Sequence, residues 1–260
     1  MISTLISALV IAIGLNLFAF IFAYKNQTDK LTDVTYALTF ALLAGYYWFS
    51  AEGANDAYKL SLMFMIVIWS IRLGSYLFFR VMIKGKDDRF DGWRDDLKKY
   101  LRFWVLQGCS VWVLSIPFII GLTKPKEAIL AIQNNKVVML GMAIWMIGFF
   151  IEALADRQKF RFRLNPENEG KFMNRGLFSI VRFPNYAGEI LVWVGVFITV
   201  SPLLEGLEWL SVVSPLWITF LLVRLNGIPF LERSNKKRYA HQKEFLEYEA
   251  NTKKLIPFIY

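Results

Sequence analysis

Histidine and cysteine are almost missing from this chain of 260 residues: His241 and Cys109 are the sole examples. A lone cysteine cannot close an intramolecular disulfide, and so few nitrogen and sulfur ligands argue against a zinc or haem site, so no metal is expected. No Gly-x-Gly-x-x-Gly, Walker loop or Gly-x-Ser-x-Gly occurs, which removes support for the soluble dinucleotide, nucleotide-triphosphate and hydrolase folds. Tandem repeats and low-complexity linkers are lacking too, so residues 1–260 read as one domain.

What is present is apolar surface. The chain is 56% hydrophobic and holds 23 Phe, 11 Tyr and 9 Trp. Apolar runs near twenty residues recur along its whole length, the signature of an all-α polytopic membrane protein. Seven spans are expected, near 2–24, 34–50, 60–82, 103–122, 137–156, 184–201 and 209–225. The first lacks a basic leader and a small-residue cleavage site, so it is expected to remain in the mature protein.

The net charge of +9 invites a nucleic-acid reading, but its distribution opposes one. Of 30 Lys and Arg, seven fall in 84–102, seven in 157–182 and eight in 224–260, with Lys25 and Lys30 after the first span. Seven spans put these regions on one side; Lys59, Lys124, Lys126 and Lys136 fall on the other. The positive-inside rule then places the N-terminus outside and the C-terminus in the cytoplasm.

Several polar residues interrupt the spans. Glu52 ends Trp48-Phe49-Ser50-Ala51-Glu52 and is either a solvated loop carboxylate or a group facing a cavity. Arg72, Tyr76 and Arg80 recur every four residues, so they share one helix face. Arg72 lies deep in its span, where a guanidinium needs an anion or water; a polar cavity or a packing ion pair would serve. The mixed-charge segment 84–102 reads as a structured loop in which Arg89 could reach a phosphate. Gln107 is either a helix-to-helix hydrogen bond or a ligand contact.

The second half concentrates the chemistry. Glu152, Asp156, Phe160 and Arg163 form one helical stripe. Carboxylates four residues apart repel each other, so they call for cations or hydroxyl donors between them; Arg182, a ligand ribose or a structural ion-pair network would answer. Gly176 permits a turn, and Pro184 suits the first turn of a new helix. Asn185 and Glu189 follow at i, i+4, with Gly188 expected to leave room for a cofactor against the backbone. Asn185 suits a carboxamide or hydroxyl, whereas ionised Glu189 suits ribose hydroxyls or an amide NH2. Beyond 228, basic residues line a surface helix, and Arg233 is the best candidate for an anionic contact.

Gly176-Leu-Phe-Ser-Ile-Val-Arg-Phe-Pro-Asn-Tyr-Ala-Gly-Glu with Trp193-Val-Gly resembles the C-terminal domain of the steroid 5-alpha-reductase family. The ending Glu247-Tyr-Glu-Ala-Asn-Thr-Lys-Lys-Leu-Ile-Pro-Phe-Ile-Tyr, Trp48-Phe-Ser-Ala-Glu52, Arg72-Leu-Gly-Ser-Tyr and Gly85-Lys-Asp-Asp-Arg-Phe add to it, and bacterial members look nearest. The resemblance implies a multi-pass reductase of a bacterial inner membrane that takes NADPH from the cytoplasm. It would reduce the 4,5 double bond of 3-oxo-4-ene steroids or related enone lipids. Residues 1–125 would serve the substrate and 126–260 the cofactor. Asn185 and Glu189 would hold the nicotinamide, and Asp156, Arg163 and Arg233 the rest of the dinucleotide. Trp48 would lie near the ring, with Arg72, Arg89, Arg182 and Tyr186 as further contacts. Glu52 and Tyr76 would bind the ketone oxygen as a pair, with burial holding Glu52 protonated. Phe183 stands where many relatives carry His, and Glu152 where the animal enzymes carry an amide.

A second family shares part of this pattern. Isoprenylcysteine carboxyl methyltransferases, which use S-adenosylmethionine, have a similar Arg-x-Pro-x-Tyr-x-Gly stretch; Asn185 and the Gly188-Glu189 pair lean away from them. A non-enzymatic transporter would be expected to break helices at mid-membrane in both halves, and an interruption is evident only near 183–184.

Overall fold

The computed structural model describes residues 1–87, 90–225 and 227–257, and among these the regular elements are all helical. Six helices are long and apolar enough to cross a membrane. They are α1 (Ile2–Lys25), α3 (Ala57–Lys84), α4 (Leu97–Thr123), α6 (Lys136–Leu164), α7 (Pro184–Val200, extended by a 3-10 turn to Leu203) and the run Gly206–Tyr239. The remaining expected span is α2 (Thr32–Phe49), which has 18 residues and carries Asp33, Thr35 and Thr39, and it does not join the six. The run from 206 is no uniform helix either. It begins as a 3-10 segment, Gly206–Val212, continues as α8 (Val213–Phe220), widens to a π turn at Leu221–Leu225 and ends as α9 (Ile228–Tyr239). Short α5 (Lys126–Ala131) and terminal α10 (Lys243–Asn251) complete the order.

The chain forms two compact units, residues 1–139 with 196–214, and residues 140–195 with 215–260. In the first, α2 packs on α3 through Phe40 against Trp69, edge to face at 5.4 Å. Gly74 makes this approach possible, since a Cβ there would sit 2.9 Å from the Ala37 methyl. α1 and α4 cross as closely at Gly108, beside the backbone of Ala12 and Ile13. Gln107 settles into the helix-to-helix role: its Nε2 donates to Asn16 Oδ1 at 2.9 Å and to the Thr32 carbonyl at 3.0 Å. From the segment between α3 and α4, Asp29 accepts hydrogen bonds of the Arg94 guanidinium and of the Asp87 N–H at 2.8 Å. Phe90 then docks on Phe20, Tyr100 and Trp104.

In the second unit the organising contact is between α6 and α7. Glycine removes the side chains at the crossing: a Cβ on Gly148 would meet Val192 N at 2.7 Å, one on Gly188 would meet Glu152 N at 2.6 Å, and one on Gly195 would meet Trp145 N at 2.5 Å. Small residues are how membrane helices bring their backbones together. Trp145 with Gly195, Gly148 with Val192 and Glu152 with Gly188 run in opposite senses, so the pair is antiparallel.

Candidate functional site

Continuing that register by one turn sets Asp156 level with Pro184 and Asn185. Glu152 and Asp156 are buried, at 2% and 4% exposure. Glu189 and Asn185 are half-buried on the first turns of α7. The expected polar stripe is therefore assembled on two packed helices of one unit. Asn185 Oδ1 is buried and has no hydrogen-bond partner, which leaves an acceptor that a ligand donor would satisfy. With Glu152, Asp156 and Glu189 on the same two helices the set is rich in acceptors. It suits an amide NH2, hydroxyls or a cation, and it disfavours a phosphate. Among the described residues no group of His, Cys, Asp and Glu could hold a metal ion.

Gly188 plays a different part from the one expected of it. Its bare Cα faces the α6 backbone rather than a ligand, so it sets the helix spacing that places Asn185 and Glu189.

The turn before α7 is fastened from several sides. Gly176 has a φ of +60° and abuts the Gln158 side chain, whose Oε1 accepts from Leu177 N at 2.9 Å. Arg182, expected to meet a cofactor or to separate Glu152 from Asp156, is instead held by two carboxylates. It reaches Glu232 at 3.0 Å and Glu249 at 3.1 Å, with its side chain 12% exposed. Phe183 is buried with Ile228 and Leu255 and stacks on the Tyr186 ring at 6.0 Å. Apolar side chains thus enclose Phe183. Arg163 and Arg233 are exposed, and Arg233 Nε donates to the Pro229 carbonyl of its own helix at 3.2 Å.

The first unit corrects the expected ketone clamp. Glu52 lies in the α2–α3 loop and is exposed, so the burial expected of it is absent. Tyr76 is nineteen residues beyond the start of α3, about 28 Å along the axis at 1.5 Å per residue. The two cannot share one oxygen. Trp48 stays at the Glu52 end, its Nε1 donating to the Ala54 carbonyl at 2.7 Å. Tyr76 belongs with Arg72 on the half of α3 nearer the basic loop. The Arg80 guanidinium lies 5.9 Å from the Tyr76 ring centroid and bridges to Asp33 at 3.1 Å. Arg89 lies outside the described residues.

Lys59 escaped the sequence reading, which counted it only among the loop charges opposite the basic clusters. It is 1% exposed, with Nζ donating to the Glu52 carbonyl at 2.6 Å, and it helps pin that loop. Its place seven residues after Glu52, at the start of an apolar helix, was the available signal.

The family model described as "Protein of unknown function (DUF1295)" matches residues 19–252. The chain belongs to this family. Among curated relatives of this DUF1295 protein, "Steroid 5-alpha-reductase DET2" of Arabidopsis thaliana is 32% identical over 127 residues, covering 47% of this chain and 42% of the relative. "Very-long-chain enoyl-CoA reductase" of Dictyostelium discoideum is 30% identical over 123 residues, covering 47% and 36%. "Probable O-methyltransferase ustE" of Ustilaginoidea virens is 30% identical over 74 residues, covering 28% and 26%. The DUF1295 chain thus spans less than half the length of the curated relatives it matches, and no solved structure matches it. The expected likeness to steroid 5-alpha-reductases is borne out.

Proposed function

We propose that this protein is an NADPH-dependent membrane reductase that saturates the double bond of an enone, with 3-oxo-4-ene steroids or related enone lipids as its substrate class. One observation carries the reading: the buried acceptors Glu152, Asp156 and Asn185 Oδ1 gather beside Glu189 on α6 and α7. They do so in a chain similar over nearly half its length to a steroid reductase and an enoyl-CoA reductase.

The donor set fits the nicotinamide and ribose end of the dinucleotide. A carboxamide NH2 and ribose hydroxyls are donors, and this stripe is made of acceptors. Asn185 and Glu189 hold the carboxamide, while Asp156 and Glu152 take hydroxyls. Phosphates are repelled from the carboxylates and drawn toward Arg163 and Arg233, whose exposed guanidinium groups offer planar forks. Tyr186, stacked on Phe183, is assigned as a further contact beside Asn185. NADPH, when bound, supplies the hydride. On α3, the Tyr76 hydroxyl is assigned to the ketone oxygen, where negative charge grows as the β carbon is reduced and a fixed donor has most effect. Glu52 has no part in this.

We take α2 as a seventh crossing, which puts the basic clusters and the cofactor stripe on the cytoplasmic side of a multi-pass inner-membrane protein. The test is spectrophotometric: purified protein in detergent, NADPH, and a 3-oxo-4-ene steroid. Steroid-dependent loss of the NADPH absorbance is expected. Its absence across steroid and acyl enones would reject the reading.

The methyltransferase-named relative keeps a second reading in play, since a sulfonium cation would also suit three carboxylates. The two readings separate in one binding experiment. Tight S-adenosylmethionine binding without NADPH binding would favour methyl transfer.

A further inference from the structure

We infer that the C-terminal segment, α10 with residues 252–257, is a positioning device for Asn185, operated through Arg182. This rests on the assignment of Asn185 to the cofactor site.

The segment holds the turn in front of α7 by its backbone and its side chains. Arg182 N–H donates to the Lys253 carbonyl at 2.7 Å and Phe183 N–H to the Lys254 carbonyl at 2.9 Å. Four residues further back, the Tyr248 hydroxyl donates to the Phe178 carbonyl at 2.6 Å. Leu255 closes over Phe183. The Arg182 guanidinium then ties this turn to α9 through Glu232 and to α10 through Glu249, and Lys254 returns to Glu232 at 3.1 Å. Pro184 follows at once as the first residue of α7, so a turn fixed at 182–183 fixes the direction in which Asn185 leaves it.

Both terminal nitrogens of Arg182 are taken by carboxylates, which would repel a phosphate, and only its buried Nε is left without a partner. Arg182 therefore acts through the backbone it anchors. The ion-pair cluster is only partly exposed, with side chains at 12%, 22% and 19%. It is thus screened less than a surface pair.

A direct ligand and a positioning residue differ in sign when Glu232 and Glu249 are neutralised. Glu232→Gln with Glu249→Gln would free a phosphate-binding Arg182 and tighten NADPH binding. In a positioning role the same change loosens the turn and weakens binding, by about tenfold or more, as for loss of charged hydrogen bonds. Arg182→Ala should weaken binding alike, and Arg182→Lys, which keeps one bridge, should recover part of it.

The experiment pairs NADPH titration of the full chain in detergent with amide hydrogen exchange over 178–190 without nucleotide. The expected result is faster exchange confined to that stretch in Glu232→Gln/Glu249→Gln and Arg182→Ala, together with weaker NADPH binding. Unchanged exchange in folded variants, or tighter NADPH binding in the double variant, overturns the inference. Faster exchange in the variants together with a wild type that does not bind NADPH would leave the fastening in place, but it would reject both the reductase reading and the link from the segment to the site.

Discussion

At the scale of single residues, charge and burial decide which polar groups are free for a ligand. Asn185 keeps a buried acceptor without a partner, so its value lies in what it receives. Asn185→Asp would add a fourth carboxylate to the stripe and should cost NADPH affinity more than Asn185→Ala does, as read by quenching of tryptophan fluorescence. Equal affinity of wild type and both variants would remove Asn185 from the site. Tyr248 gives a pH signature. Burial, partly opposed by Arg182, pushes its hydroxyl up to about 12 from an ordinary value of 10.0. Its neutral form is therefore favoured in the folded protein. Below pH 10 both states are protonated and this stabilisation is complete; between 10 and 12 the unfolded chain ionises first and stability drains away. Melting temperature should fall across that window in wild type and fall less in Tyr248→Phe. A parallel fall in both would contradict the assignment. Sequence alone placed Asn185, Glu189, Asp156 and Glu152 on two helices, as the structure does, because the period of both is readable. It misjudged Arg182, because Glu249 is sixty-seven residues away and no local pattern announces that bridge.

At the scale of elements, the helix crossings depend on missing side chains. Gly188→Val would drive a branched side chain into the backbone at Glu152. The expected cost is about 1–3 kcal/mol for overpacking, measurable as a lower thermal midpoint in detergent. A midpoint equal to wild type would mean that α6 and α7 do not meet there. Gln107→Leu should cost about 1–3 kcal/mol by stranding the buried Asn16 acceptor, without altering NADPH affinity. The helix boundaries were largely legible: apolar runs gave α1, α3, α4, α6 and α7, and Pro184 gave the start of α7. The glycine contact was legible too, since Gly188 and Gly195 stand seven apart on one face of an apolar helix. Interpreting Gly188 as room for a cofactor overlooked that commoner use. The 3-10 and π turns between 206 and 225 were not legible, because composition there matches an ordinary span.

At the scale of the whole molecule, the six apolar helices show a membrane protein, and the proposed reductase has its acceptor stripe on the cytoplasmic side, where the positive-inside rule puts the basic clusters. A reporter fused after residue 260 should be active in the cytoplasm, and one at the N-terminus outside; the reverse would misplace the cofactor stripe. The failed pairing of Glu52 with Tyr76 also belongs to this scale. A motif match gives residue types, but only the run of α3 shows that Tyr76 lies about 28 Å along the axis from the helix start, beyond which Glu52 sits in the loop. The central claim is that the α6–α7 stripe grips the nicotinamide end of a reduced dinucleotide. Equilibrium titration of NADPH into the purified wild type and Asn185→Ala tests it most directly. Saturable binding by wild type, weakened about tenfold or more in the variant as for a lost buried hydrogen bond, is the result expected. No binding by wild type, or the same affinity in both, would contradict it.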